Sequence, residues 1–392
     1  MLLSRPATRA RSGGRESPRV MALLHDGDSI RDTYEVERFL GEGAFAEVYR
    51  VKHRFLGRQA MKVFKTSGMT IRETEQLLGE ALLLSRIGHP NIVRVFDANT
   101  LENDRGNFGF FTMEYVAGGS LEQFWHSHGR RLVPVDTVVD VITQVCRGLA
   151  VAHDEKPPII HRDVKPQNIL VGYDANGLRV RISDFGLAKQ VNPLTLLASA
   201  QGTRCFKAPE TLRDFHTDSS AGDVWAVGCT LYLLLTDRLP YTTAGDTDFT
   251  DERRFEKPLV PPRRFNIQVD QRLEAIVARA VALRPEERYA DAKSLLDDLV
   301  GWRSQPSATA DTTMPDRTHA SQADAKGALG TPIMSPDEGE GRKMAARAIE
   351  LSHHAGKLGE AADLLEEAFN RWPPLRQQYQ DRVTLWRRGI AM

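Results

Sequence analysis

The chain has 392 residues, 41% of them hydrophobic and 27% charged, enough to bury substantial cores and typical of a water-soluble protein. Lysine plus arginine and aspartate plus glutamate both total 52, so no global field draws the chain to nucleic acid or to an anionic membrane. Cys146, Cys205 and Cys229 are odd in number and lack metal-ligand spacing, and no apolar run approaches the ~20 residues of a spanning helix; the expectation is a cytoplasmic protein without structural disulfides or a membrane span.

Residues 1–28 are rich in arginine (Arg5, Arg9, Arg11, Arg15, Arg19) with Ser, Pro and Gly between, and lack the apolar core of a secretory signal. Such a segment builds no core and is expected to be a disordered basic tail, with Met21 as an alternative translation start and an organelle transit peptide as a second reading. From residue 34 to 65, apolar and polar residues alternate around glycines as in hairpin strands: Tyr34, Val36, Phe39-Leu40, then Val48–Val51, then Ala60–Phe64. Between Thr70 and Ile87, Leu77, Leu78, Ala81, Leu82, Leu84 and Ile87 recur at helical spacing, and Gly88-His89-Pro90 ends that helix. Ile92–Phe96 and Phe108–Tyr115 follow as strands. The pattern then turns helical over 120–128, 135–154, 218–236 and 270–283. Residues 304–340, rich in Ser, Thr, Ala, Asp, Gly and Pro, read as a flexible linker, and helical periodicity returns over 341–392. The order predicts an α+β chain: a small strand-rich lobe with one helix (34–116), a larger helical lobe (117–303), the linker, and a helical tail.

The chemistry is concentrated in His161-Arg162-Asp163-Val164-Lys165-Pro166-Gln167-Asn168 and, further on, Asp184-Phe185-Gly186. Phosphoryl transfer leaves a protein little covalent work; positioning and charge stabilisation dominate, with metal ions bridging the phosphates. One Asp beside the acceptor hydroxyl, a Lys near the transferred group, and an Asn and a second Asp on the metals would meet those needs. Ahead of this segment, Gly41-Glu42-Gly43-Ala44-Phe45-Ala46-Glu47-Val48 lies between two strands, where glycines let backbone N–H groups approach phosphates. A strand follows this loop where a dinucleotide fold would place a helix, and the Gly-Lys-Ser/Thr ending of a P-loop is missing.

Together these segments resemble the eukaryotic-type (Hanks-type) serine/threonine protein kinases, over residues 34–303 and with every motif in family order. The resemblance implies a bilobal fold and ATP and magnesium as cofactors. Asp163 would orient the acceptor hydroxyl, Lys165 would neutralise the transferred phosphoryl group, and Asn168 and Asp184 would hold magnesium. Leu40 and the loop from Gly41 to Val48 would cover the phosphates; Ala46 replaces the family's third glycine. Lys62, in Ala60-Met61-Lys62-Val63, would hold the α- and β-phosphates, with Glu80 as its partner. Met113 would stand at the back of the adenine pocket, Glu114 and Val116 at the hinge, and Val48, Ala60 and Leu170 around the base. Gly202-Thr203 to Ala208-Pro209-Glu210 resembles the acceptor-binding loop. Asp223-Val224-Trp225 resembles the start of the large lobe's central helix, and Arg288 would pair with Glu210.

Lys165 and Gly202-Thr203 look like the serine/threonine branch, and a small-molecule kinase would lack the peptide-cradling loop. Arg162 implies control by phosphate on the activation segment, 184–210, with Lys189 assisting and Thr195 or Ser199 as acceptors, Thr203 being structural. The compact core and sparse insertions look bacterial. The alternative is a pseudokinase scaffold that binds partners through its C-terminal helices; Lys62, Asp163, Asn168 and Asp184, whose loss would signal that, are all present. In the tail, Ala355-Gly356-Lys357-Leu358-Gly359-Glu360-Ala361, Leu365, Ala368 and Pro373 are spaced similarly to one tetratricopeptide unit, with a generic helical hairpin as the other reading. Its apolar face (Leu364, Leu365, Phe369, Trp372, Leu385, Trp386) is expected to dock on the catalytic part, on a second copy or on another protein. Protein substrates are the expected partners otherwise.

Overall fold

The computed structural model describes residues 22–128, 132–185, 204–214, 217–242, 252–304, 336–354 and 356–390. The small lobe is a six-stranded antiparallel sheet of β1 (Ser29–Ile30), β2 (Tyr34–Glu42), β3 (Ala46–His53), β4 (Gly57–Ser67), β5 (Val95–Asn103) and β6 (Gly106–Glu114), in the order β1-β2-β3-β4-β6-β5. Alternation along the strands sorts their side chains onto two faces. Tyr49, Val51, Met61, Val63, Phe108 and Phe110 pack on one face, and Ala46, Ala60, Phe64, Phe111 and Met113 on the other. Lys62 falls in register with Val48 on β3 and Phe111 on β6, on the face of Ala60 and Phe64.

Two local features differ from expectation. Residues 22–28, assigned to the tail, pack on the small lobe: Leu24 is buried beside Tyr34, Val36 and Tyr49, and the Leu23 and Leu24 amides donate to Glu47 Oε2 (2.8 Å) and Tyr49 Oη (3.0 Å). Two adjacent leucines in a polar stretch were the only local sign of this insertion. The helix expected over 70–87 is two helices, α1 (Ile71–Leu77) and α2 (Gly79–Ile87). Thr70 and Glu73 form a reciprocal cap on α1, and buried Leu78, at φ −94° and ψ 2°, leaves helical geometry between the two. Gly88 closes α2 at φ 72°, a left-handed conformation that glycine adopts without a Cβ penalty.

The large lobe holds α3 (Leu121–His126), α4 (Val135–Asp154), the hairpin β7 (Ile169–Asp174) and β8 (Gly177–Ile182), α5 (Pro209–Arg213), α6 (Ser220–Thr236), α7 (Gln271–Ala280) and α8 (Ala292–Arg303). Apolar almost throughout, α6 is buried from Asp223 to Thr236, with α4, α7 and α8 packed around it. Ser219, Asp270 and Asp291 cap α6, α7 and α8 by accepting from backbone N–H groups in their first turns.

Three further helices complete the described chain: α9 (Pro336–Ser352), α10 (Leu358–Arg371) and α11 (Leu375–Arg387). The start of α9 lies inside the stretch read as linker; Pro336 opens it, and Glu338 and Glu340 add negative charge near its positive end. Ala345, Ala348, Ala361, Ala362 and Ala368 let the helices approach closely, and a Cβ added to Gly341 would lie 2.5 Å from that of Trp372. Leu365, Phe369 and Trp386 are buried inside this packing, with Leu364 and Trp372 against it. The face expected to dock is therefore largely consumed within the segment, and most of the docking falls to polar residues of α10 and α11.

One of these is Glu366, 1% exposed and paired with Arg387 at 2.7 Å. Burial pushes its carboxyl up to about 7, against the pull of Arg387. A carboxyl raised in the folded state binds protons that the unfolded chain has released, so its contribution to stability declines as pH rises from about 4.5 to 7. Glu366→Gln removes that slope. The variant's stability relative to the parent should rise across this interval and level off above it, as followed by urea midpoints at pH 5, 6, 7 and 8.

Candidate active site

The catalytic segment lies between α4 and β7, in a loop that its own sequence cannot hold. Arg162 sits in the left-handed region at φ 69°, which costs a non-glycine residue about 1 kcal/mol or more. Asp223, at the start of α6, offsets this: its carboxylate accepts the backbone N–H groups of His161 (2.7 Å) and Arg162 (2.9 Å), and lies 3.0 Å from His153 Nε2. Burial pushes Asp223 upward, but His153 and His161 outweigh it and hold the carboxyl below its ordinary range. Asp223→Asn keeps the shape and weakens this acceptor. The expected result is a loss of about 2 kcal/mol in urea unfolding, the range for a buried donor left without its partner.

His161 carries the order onward. Its Nε2 lies 2.8 Å from the Ser183 carbonyl, its Nδ1 accepts the Asp163 amide at 3.2 Å, and its ring packs 4.5 Å from that of Phe185. Ser183 in turn donates to the Asn168 carbonyl through both its amide (2.9 Å) and its hydroxyl (3.0 Å). Asp163, Asn168 and Asp184 are thus brought to one place by a continuous hydrogen-bonded frame. Sequence reasoning assigned no role to His161, His153 or Ser183 and treated Asp223 as scaffold. The buried acid opening an otherwise apolar helix was the available signal.

Within the site, Lys165 Nζ is 2.8 Å from Asp163 Oδ2, and the Asn168 amide nitrogen donates to that same oxygen at 2.9 Å. This commits the nitrogen end of Asn168 and leaves its carbonyl oxygen for a hard cation. Across the cleft, Lys62 Nζ lies 2.7 Å from Asp184 Oδ1. Burial pushes Asp184 up, but Lys62, with His161 and Lys165 behind it, holds it below the usual carboxylate range and keeps it ionised. Among the described residues no cluster of three or more Asp, Glu, His or Cys could hold a metal. One carboxylate and one amide oxygen nonetheless suit magnesium, which takes one or two protein ligands and completes its shell with phosphate oxygens and water. Lys62, Asp163, Asn168 and Asp184, the residues a non-catalytic scaffold would lose, are all in place.

Val48, Ala60, Met113 and Leu170 meet in one apolar cluster, with Tyr115 beside it. Ala60 and Met113 are register partners across β4 and β6, and Gln59 pairs with Glu114, the last residue of β6 before Val116. In the glycine loop, Gly43 N donates to Ala46 O at 2.8 Å, and Glu42 Oε2 is 2.7 Å from Lys65 Nζ. Leu40, Glu42, Gly43 and Ala44 are exposed at the mouth of the cleft, with Gly41 and Phe45 half-buried. Ala46 is buried with Ala60 and Phe64, so its methyl fills the lobe's interior and does not block the loop. Glu80 falls on α2, but its side chain lies outside the described residues; the partner seen for Lys62 is Asp184.

The loop after the site is anchored at its far end. Arg288 holds Glu210 by two parallel bonds (2.6 and 2.7 Å) and lies 4.9 Å over Trp225. Arg162 Nε pairs with Asp218 at 3.1 Å, and Lys207 Nζ donates to the Arg162 carbonyl. Lys189, Thr195, Ser199 and Thr203 lie outside the described residues.

Comparison with known proteins agrees with this geometry. Residues 34–310 match the protein kinase domain family. Serine/threonine-protein kinase PknB of Mycobacterium leprae is 32% identical over 279 residues, which are 69% of this chain and 43% of that protein. Serine/threonine-protein kinase ATG1b of Arabidopsis thaliana is 35% identical over 228 residues, 58% of this chain and 31% of that one. The chain therefore spans less than half the length of these curated relatives. The crystal structure of the PknI kinase domain of Mycobacterium tuberculosis superimposes with a TM-score of 0.51 at 26% identity, covering 71% of this chain and 99% of that domain. By its matched span, its two lobes and its catalytic loop, this chain belongs to the protein kinase family.

Proposed function

We propose that the chain is a serine/threonine protein kinase that uses ATP and magnesium to phosphorylate protein hydroxyls. The observation carrying this reading is Asp163 held by both Lys165 and Asn168, across a cleft from the Lys62–Asp184 pair. In this reading Asp163 accepts a hydrogen bond from an incoming alcohol and orients its oxygen for in-line attack. Lys165 stabilises charge on the group being transferred, and Lys62 orients the phosphates bound beneath the glycine loop. Asn168 and Asp184 would hold magnesium, which supplies charge neutralisation at the phosphates when bound. Val48, Ala60, Met113 and Leu170 exclude water around the base, and backbone groups of Glu114 and Val116 hydrogen-bond it. Lys165, with Thr203 in the acceptor loop, favours serine and threonine as acceptors.

The domain organisation proposed with this is a catalytic domain over 34–303, a linker, and a C-terminal helical segment resembling one tetratricopeptide unit. Activation-segment phosphate on Thr195 or Ser199 would be received by Arg162 with help from Lys189, and mapping of phosphopeptides checks this. A cytoplasmic, bacterial-type signalling enzyme is the setting the reading favours; no helix among the described residues is long and apolar enough to cross a membrane. The direct test is transfer of radiolabel from γ-labelled ATP to a generic basic protein. The parent should label it; an unlabelled product would refute the reading.

A further inference from the structure

On the sheet face of the small lobe that carries Val48 and Ala60, Arg38 and Arg50 stand directly opposite each other in the β2–β3 register. Like charges so placed destabilise a strand pair unless a counter-charge joins them. Within the sheet Glu37 supplies part of it, 2.6 Å from Arg50 and 3.1 Å from Arg58. The rest comes from far away in sequence: Glu367 on α10 lies 2.9 Å from Arg38 and 2.5 Å from Arg50, and accepts the Tyr115 hydroxyl at 2.6 Å. Its side chain is 5% exposed and that of Arg50 13%, so the bond between them is largely shielded from solvent and salt, whereas Arg38, 38% exposed, is screened by water. Tyr115 is the hinge residue between Glu114 and Val116.

The same segment grips the large lobe. Asn370 Nδ2 donates to the Ala117 carbonyl at 3.2 Å, Arg376 donates to Ser127 Oγ at 2.6 Å and stacks 4.6 Å over Phe124. Glu366 fills the space beside the hinge glycine: a Cβ on Gly118 would come within 3.1 Å of its Oε2.

We infer that α10 and α11 form a strap across the back of the hinge, and that Glu367, acting through Tyr115, is a positioning residue for the adenine site. The segment works in cis on its own catalytic domain. A truncated chain would leave Arg38 and Arg50 facing each other and the hinge tyrosine without its acceptor. This rests on the kinase reading, because only a nucleotide in the cleft gives hinge position a consequence.

The test is calorimetric binding of ADP with magnesium to the full-length chain, alongside kcat and KM for ATP and for a peptide. Glu367→Ala should weaken ADP binding and raise KM for ATP by about 10-fold, the low end for one bond to a charged group, with kcat and peptide KM within 2-fold. Tyr115→Phe, which removes one hydroxyl and should fold normally, should reproduce part of the loss. Glu367→Gln, which retains an acceptor for Tyr115, should recover part of it. Glu340→Gln, breaking the Glu340–Arg371 pair of the same segment away from the hinge, should leave ADP affinity unchanged. Unchanged ADP affinity in both Glu367→Ala and Tyr115→Phe would overturn the inference, even if thermal stability fell. A parent chain that binds no ADP would overturn the kinase reading itself, a distinct result.

Discussion

Asp163→Ala should lower kcat for phosphate transfer by about 10²- to 10⁴-fold, the range for a positioned acid–base group. ADP affinity and thermal midpoint should change little, for two reasons. Asp163 makes its side-chain contacts within the site, to Lys165 and Asn168, and the frame that holds the loop runs through other groups: Asp223, His161 and Ser183. The residue can therefore be removed without withdrawing the support beneath it. Steady-state kinetics and calorimetry on one preparation separate the outcomes. A proportional loss of ADP binding would mean that Asp163 also maintains the cleft.

The second large effect concerns folding. Arg288→Ala should cost about 3 kcal/mol, the low end of the range for breaking a buried ion pair by removing one partner. The side chain of Arg288 is fully buried and that of Glu210 is 18% exposed, so water offsets part of the penalty on the carboxylate. Arg288 also donates to the carbonyls of Ala282, Leu283 and Ala221, and those acceptors lose their partner too. On the proposed reading, in which Glu210 ends the acceptor-binding loop, peptide KM should rise more than KM for ATP. Urea unfolding measures the first part and two-substrate kinetics the second.

What was legible in the sequence is what local order encodes. His161 to Asn168 and Asp184 to Gly186 carry their chemistry in contiguous residues, and Lys62 stands in a short apolar run, Ala60-Met61-Lys62-Val63, after the glycine loop. The pairings that hold the site were not legible, because they join residues far apart in the chain. Asp223 supports a loop 61 and 62 residues earlier, and Glu367 reaches Arg50 across 317 positions. No periodicity encodes such contacts. The tail shows the limit most clearly. Its apolar spacing announced a face, and that spacing described the inside of the three-helix packing. The docking on the lobes came from Glu366, Glu367, Asn370 and Arg376, polar residues that sequence alone reads as solvated. Leu23 and Leu24 were missed for a related reason: a two-residue apolar insertion is too short to carry a period.

Transfer of phosphate to serine or threonine hydroxyls of proteins is the activity proposed for this site. Phosphoamino-acid analysis of a basic protein labelled by the parent chain, with the Asp163→Ala chain as blank, tests it most directly. Label on phosphoserine and phosphothreonine, with background counts in the blank, is the expected result. Label on phosphotyrosine, or equal labelling by the two chains, would contradict it.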